Sequence, residues 1–370
     1  MNLVYTRSST IYDESRATKE IMAFLEAGFS VYVLGWDRNG LAYDKCKDVF
    51  NEYVDKIQFK FYSGNIGTSV ISKMLSRYKW NLWLNKELGS ISQIDIIHAC
   101  DYDTGATVRK YAHKNKKKYV YDIFDYYIDA HPVPRVIRWV IEKDEIKTIN
   151  CAEVTIICTE ERKEQIKKAK PKEIVIIYNS PDVEAFEQIE EKYDYVYCGG
   201  LYNMRLIEEI LELYPKNTQY KFVFAGSGDY SNKAEQLAKE YENFSYLGPI
   251  AYSKVLEVER ASKVISAIYE PTIRNHQLCA PNKFYEALAL AKPIIVCHGT
   301  GIDNIVDSEH IGSTISYDAE EFYEALNELL LNDDDRKLMG KKGRKLYESK
   351  YKWNLMKKRL IEVYDKIYQE

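Results

Sequence analysis

Short apolar runs rich in β-branched and aromatic residues alternate along the chain with longer stretches of helical period. That alternation is the pattern of parallel strands joined by crossover helices. Seven runs fall in the first half: NLVY (2–5), VYVLG (31–35), IQFKF (57–61), IDIIHA (94–99), KYVYDI (118–123), VTIIC (154–158) and EIVIIYN (173–179). Six follow in the second: DYVYCGG (194–200), YKFVFAG (220–226), FSYLG (244–248), KVISAIY (263–269), KPIIVC (292–297) and STISY (313–317). The expectation is an α/β protein with two successive sheets. The turn-forming cluster Asn179-Ser180-Pro181-Asp182 ends the first set, and a polar, acidic linker leads to the second. Residues 1–180 and 181–350 are therefore expected to form two Rossmann-like domains, with 351–370 a helix that packs back on the first. Open α/β sheets bind ligands beyond the carboxyl ends of their strands, so two sheets facing across a cleft would supply binding edges for two substrates.

The length of 370 residues agrees with two domains. Hydrophobic residues at 46% and charged residues at 29% exclude long-range disorder and a fibrous repeat. No stretch reaches the roughly 18 uncharged apolar residues of a membrane span. The opening MNLVYTRSST reads as a strand, without the n-region and h-region of a signal peptide, so a cytoplasmic location is expected. Seven cysteines without a C-x-x-C pair suit reduced core thiols better than disulfides or zinc. The net charge of -4 argues against a nucleic-acid partner, and it is uneven: residues 1–180 hold 28 Lys+Arg against 24 Asp+Glu, and 181–370 hold 24 against 32. Thirty-two tyrosines accompany abundant Lys, Ile and Asn, as coding bias in an AT-rich genome would produce, and no function is read from them. Asp333-Asp334-Asp335 opens a helical stretch with a basic end, which suits acidic capping better than a metal site.

Candidate chemistry concentrates in the second half. VYCGGLYNMRLIEEI (196–210) reads as strand, Gly-Gly turn and helix, with Arg205 at the helix opening. Gly199 and Gly200 would let a phosphate approach backbone N–H groups, and Arg205 would neutralise a diphosphate, although a plain tight turn has the same signature. AGSGDY (225–230) has Ser231 where a complete G-x-G-x-x-G needs glycine, so it reads as a turn near the base or ribose. In APNKFYEALALAKPIIVC, Pro281 and Asn282 suit a first helical turn, Lys283 would hold a diphosphate and Glu286 would accept from ribose hydroxyls. An amphipathic helix with a Lys/Glu surface pair is the alternative.

These residues resemble the GT-B glycosyltransferases, most closely glycosyltransferase family 4. P-N-K-F-Y-E-A-L-A-L-A-K-P-I-I-V is similar to their donor-site helix and strand, and C-G-G-L-Y-N-M-R to their nucleotide-diphosphate turn. Further similarity runs through DESRATKEIMAFLEAGFSVYVLG (13–35), IDIIHACDYDTGA (94–106), YVYDIFDYY (119–127), IVIIYNSPD (174–182) and the closing LLLNDDDRKLMGKKGRKLYESKYKW. The resemblance implies transfer of a sugar from a nucleotide-diphosphate sugar, with retention and without a metal or other cofactor, in surface polysaccharide synthesis. The acceptor would be a glycan or a polyprenyl-diphosphate-linked lipid held by the N-terminal half. Arg205 takes the place of the family's lysine, and Gly200 that of an arginine often before it. Glu286 matches the second of two glutamates eight positions apart, with Leu278 at the first. Many relatives carry a histidine where Cys100 stands.

For a catalytic base, Asp101 and Asp103 follow one strand and Asp122 and Asp125 end another, with Asp101 and Asp125 the chosen pair. Helix capping is the alternative for Asp101 and Asp103. Ser8 and Arg16, near the end of the first strand, are candidates to meet the acceptor or a phosphate, with Arg7 a less favoured choice. His98 reads as a core residue. MLSRYKWNLWLNKEL (74–88) and VPRVIRWVIEKDEIK (133–147) mix large apolar residues with Arg and Lys, so each either packs inward or lies at the inner, anionic face of the membrane. The rival readings are a nucleotide-sugar 2-epimerase on the same fold and a non-catalytic partner subunit.

Overall fold

The computed structural model describes residues 1–131, 133–183 and 189–369, so residues 184–188 of the expected acidic linker lie outside the described residues. Two compact units emerge, Met1–Tyr178 with Met356–Glu370, and Asn179–Leu355. Every apolar run named above becomes a strand. Unit 1 holds β1 (Asn2–Thr6), β2 (Ser30–Asp37), β3 (Ile57–Ser63), β4 (Ile96–Cys100), β5 (Lys118–Ile123), β6 (Val154–Ile157) and β7 (Ile174–Ile176). Unit 2 holds β8 (Tyr193–Cys198), β9 (Phe222–Ala225), β10 (Phe244–Tyr246), β11 (Ser262–Ala267), β12 (Ile294–Cys297) and β13 (Gly312–Ile315).

The first sheet has the order β3-β2-β1-β4-β5-β6-β7 and the second β10-β9-β8-β11-β12-β13, with every pairing parallel. Strands covered on both faces need apolar side chains on both, and β4 and β12 are buried at every position. The strand order reverses between β1 and β4 in unit 1 and between β8 and β11 in unit 2. Crossovers leave in opposite directions there, which opens a crevice beyond the strand ends.

Helices of unit 1 are α1 (Ser15–Glu26), α2 (Ala42–Val49), α3 (Val70–Ser90), α4 (Tyr102–Asn115), α5 (Tyr127–Ala130) and α6 (Arg135–Cys151). Those of unit 2 are α7 (Ile207–Leu213), α8 (Ser231–Glu240), α9 (Tyr252–Arg260), α10 (Asn282–Ala289), α11 (Asp303–Glu309), α12 (Ala319–Leu331) and α13 (Asp333–Leu346). The Asp triplet forms the first turn of α13, where the Asn332 side chain accepts from the backbone N–H of Asp334 and Asp335. The chain then returns to unit 1 as α14 (Trp353–Gln369). Its buried face is Met356, Leu360, Val363, Tyr364 and Ile367, the spacing of one helical stripe. Arg359 and Lys118 pin its flanks by donating to the carbonyls of Ile176 and Ile367.

Under that helix lies a buried cluster of charge. Arg16 on α1 donates to Glu20 Oε1 at 2.8 Å and to Asp122 Oδ1 at 2.6 Å. Tyr5 donates to Glu20 Oε2 at 2.9 Å, and His98 Nε2 stands 3.5 Å from Glu20 and 3.4 Å from Asp122. His98 Nδ1 meets the Tyr364 hydroxyl, which ties α14 to the centre of the sheet. Glu20, His98 and Asp122 are wholly buried and Arg16 is 7% exposed. The expectation that Arg16 meets a phosphate is corrected: its guanidinium turns inward to offset two carboxylates that burial would otherwise destabilise. Glu20, His98 and Asp122 are also the one group of metal-ligand type found among the described residues, and Arg16 already supplies the cation that the two carboxylates require.

Removing one member of such a cluster leaves an uncompensated buried charge, so Arg16→Ala is expected to cost about 3–5 kcal/mol in urea unfolding. Burial, reinforced by Asp122, raises the Glu20 carboxyl from its ordinary 4.5 to about 7. The folded chain thus holds this proton more tightly than the unfolded chain. Stability contributed at Glu20 is expected to fall as pH rises between about 4.5 and about 7. Denaturation midpoints measured across that range should decline less in Glu20→Gln.

Candidate functional site

The residues that follow β8 and β11 build a pocket in unit 2 at the switch point of its sheet. After Cys198 the chain turns through Gly199, whose φ of 154° suits glycine and whose N–H donates to the Ala225 carbonyl at 2.8 Å. The AGSG turn stacks on it: a Cβ at Gly226 would stand 1.9 Å from the Gly199 carbonyl oxygen. Gly226 therefore lets two loops pack backbone to backbone. The pocket, about 360 Å³, is lined by Gly199, Gly200, Gly226 and Ser227 on this side and by Asn282, Lys283 and Glu286 opposite. Pro249, Ile250 and Tyr252 complete one wall.

Arg205 lies just before α7, in a turn where Met204 (φ 70°) and Leu206 (φ 58°) both hold left-handed backbone. Such strain persists only when neighbours over-determine it. Here the Tyr317 hydroxyl accepts from the Leu206 N–H at 2.8 Å and the Met204 carbonyl accepts from the Glu270 N–H at 3.1 Å. The turn sets the Arg205 guanidinium 4.6 Å above the Tyr269 ring, within hydrogen-bonding reach of the Tyr197 and Tyr269 hydroxyls. Lys283 approaches from the first turn of α10, which Pro281 caps, and its Nζ stands 4.8 Å from the centre of the Tyr197 ring. A Cβ on Gly199 would come within 2.5 Å of that Nζ, so the lysine lies against the glycine turn. Among the described residues, neither Arg205 nor Lys283 has a carboxylate within salt-bridge range. Two cations, a glycine turn and a helix N-terminus in one place suit an anion with more than one phosphate. Glu286 is buried and its Oε1 accepts from Tyr252 at 2.9 Å.

Sequence reading missed the aromatic cradle. Tyr197 and Tyr269 were two tyrosines among thirty-two; their position at the ends of the two central strands was the available signal.

At the matching edge of unit 1, Asp101 holds left-handed backbone (φ 59°) at the start of α4. Its Oδ1 accepts from the N–H groups of Phe124 (2.8 Å) and Asp125 (3.1 Å), and its Oδ2 from Arg7 at 2.7 Å. Burial lifts the Asp101 carboxyl to about 6, with Arg7 opposing and Asp125 adding to the rise. Asp101 braces the β4 and β5 loops, which corrects the expectation of an open base. Asp125 is 53% exposed on its side chain and receives Arg162 at 3.2 Å. Ser8 donates to Asp103 at 3.1 Å, and Asp103 pairs with Arg77 of α3 at 2.8 Å. Beside them a groove of about 490 Å³ runs between α3 and α4, lined by Met74, Arg77, Tyr78, Leu82, Asp103 and Tyr127, among others.

Residues 180–346 match the family model described as Glycosyl transferases group 1. An uncharacterised glycosyltransferase of Methanocaldococcus jannaschii is 24% identical over 217 residues, 54% of this chain and 53% of that protein, so the match spans about half of the relative's length. Two solved structures share the fold over both units: sucrose-phosphate synthase of Thermosynechococcus elongatus (TM-score 0.71, 14% identity, 100% of this chain and 99% of that one) and Anabaena HepE in complex with UDP and glucose (TM-score 0.72, 12% identity, 99% and 100%). Two parallel Rossmann-like sheets with these matches give the chain the GT-B glycosyltransferase fold, and its residues 180–346 are a group 1 glycosyltransferase domain.

Proposed function

We propose that this chain transfers a sugar from a nucleoside-diphosphate sugar, bound in the unit 2 pocket, to an acceptor bound by unit 1. The observation that carries the reading is the convergence of Arg205 and Lys283 on Tyr197, with Lys283 against the Gly199 turn and neither cation within salt-bridge range of a carboxylate among the described residues. Two fixed cations stabilise the charge that grows on a departing diphosphate. In a retaining reaction that phosphate can itself take the acceptor proton, so no metal and no protein base is required. Asp125, the more exposed of the two expected carboxylates, is our candidate to assist. Glu286 serves the ribose hydroxyls, and Asn282 the phosphate side of the same pocket. Because Anabaena HepE was solved with UDP and glucose, UDP is the first nucleotide to test.

The acceptor we propose is a glycan on a lipid carrier, as surface polysaccharide synthesis uses, met at an anionic membrane. The support comes from α3 and α6, whose stripes do not all pack inward. Ile71, Met74, Leu75, Tyr78 and Leu82 are exposed on α3, and Val136, Trp139 and Val140 on α6. Lys143 lies 3.7 Å from the centre of the Trp139 ring, the mixture of aromatic and cation that suits a headgroup layer.

Lys283→Ala and Arg205→Ala are each expected to weaken UDP binding in calorimetry by about 1.5–3 kcal/mol, the loss of one charge-assisted contact. Unchanged affinity in both would refute the pocket assignment. Trp139→Glu with Leu75→Glu should lower co-sedimentation with vesicles of anionic lipid while leaving UDP affinity intact. Equal sedimentation of wild type and variant would remove the membrane from the account.

A further inference from the structure

A second pocket, in unit 1, is lined by none of the residues assigned to the reaction above. It holds about 700 Å³, and Arg109, Lys110, His113, Lys116 and Lys117 form most of its wall. No carboxylate lines it among the described residues. Arg109, Lys110 and His113 lie in the second half of α4, and the left-handed backbone of Lys116 (φ 52°) turns the chain so that Lys116 and Lys117 join them. Two of the five basic side chains are fixed. Arg109 donates to Asp144 Oδ1 at 2.6 Å and to Thr148 at 3.3 Å, and Lys117 donates to the Ile94 carbonyl at 2.8 Å. Lys110, His113 and Lys116 are exposed and have no carboxylate within salt-bridge range among the described residues.

Helix capping does not account for this much charge. A helix C-terminus attracts cations, but it carries only about half a negative charge. Residues 104–121 hold six Lys+Arg and no Asp or Glu, and without them the rest of residues 1–180 would hold 22 basic against 24 acidic side chains. The positive excess of this half therefore resides here. The last carbonyls of α4 are already satisfied, Tyr111 accepting from the Asn115 side chain and Ala112 from the Lys117 N–H, both at 2.9 Å. Like charges gathered round a cavity repel one another, and an anion inside it relieves that repulsion. We propose that this pocket is a second anion site, independent of the reading of the unit 2 pocket, and that it takes the phosphate of a phospholipid headgroup or of a soluble phosphate compound. Arg109 offers a fixed guanidinium and the lysines add ammonium groups, the donors that phosphate oxygens accept from best. Lys110 also lines the groove between α3 and α4, where Met74, Tyr78 and Leu82 are exposed. Apolar surface beside the basic wall favours the lipid source.

Cys151 gives a local readout, because it lines the pocket and is exposed while the other six cysteines are buried. The test is the rate of Cys151 alkylation by neutral iodoacetamide in the full-length chain, read by peptide mass spectrometry. Inorganic pyrophosphate is compared with chloride at equal ionic strength, and vesicles containing phosphatidylglycerol with vesicles of phosphatidylcholine. Cover and a nearby negative charge both slow attack by a thiolate, so a ligand near saturation is expected to slow alkylation by about threefold or more. The variant Lys110→Gln/His113→Gln/Lys116→Gln changes only exposed side chains, and circular dichroism checks its fold. Each rate ratio is taken within one protein, and the variant is expected to lose the protection. Protection by phosphatidylglycerol vesicles supports the headgroup source, and protection by pyrophosphate alone supports a soluble phosphate ligand. No protection by either, or protection that survives in the variant, overturns the site. Lys283→Ala is expected to show the protection of wild type, so a failure of the unit 2 reading would leave this site standing; protection lost in Lys283→Ala would overturn its independence.

Discussion

Two cations with no carboxylate in salt-bridge range among the described residues are the constraint on which the C-terminal half is organised. Residues 181–370 carry 24 basic against 32 acidic side chains, so bulk charge there repels a diphosphate. The attraction must be local. Arg205 is fixed by a strained turn and the Tyr269 ring, and Lys283 by the first turn of α10 and the Tyr197 ring. Aromatic faces hold a cation without neutralising it, which leaves the charge for a ligand. The glycine turns meet the same need. Gly226 and Gly199 touch through backbone, which brings two N–H-bearing loops under the space that the cations face.

Unit 1 uses charge in the opposite way. Arg16 is enclosed with Glu20 and Asp122 beneath α14, where its role is to make two buried carboxylates tolerable and to fix the helices and strands that carry them. His98 and Tyr364 extend the cluster to the last helix of the chain, so the end of the sequence is tied to the centre of its first sheet. Asp101 is a smaller version of the same device, with two backbone N–H groups and Arg7 bracing the loops after β4 and β5. The open carboxylate at that edge is Asp125.

The strands were legible because parallel sheets covered on both faces demand short apolar runs rich in β-branched and aromatic residues. The Gly-Gly turn and Pro281-Asn282-Lys283 were legible because phosphate sites need local backbone features that sit within a few residues. What the sequence could not disclose is direction. Arg16 and Arg7 lie in the same polar stretch after β1, and only the folded chain, which brings Asp122 of β5 to Arg16, sends one of them inside. A mixed stripe such as that of α6 has the same composition whether it faces a core or solvent, and here Val136, Trp139 and Val140 face solvent. Tyr197 and Tyr269 act through neighbours remote in sequence, and no local motif marks them.

At a site built around two cations, most of the affinity should come from the phosphates, with the ribose contact at Glu286 the smaller part. Titration of the wild-type chain with uridine, UMP and UDP under one set of conditions measures this directly. Affinity is expected to rise at each added phosphate, with the step from UMP to UDP at least tenfold, because the second phosphate completes the contact with both cations. Equal affinity for the three ligands would contradict it.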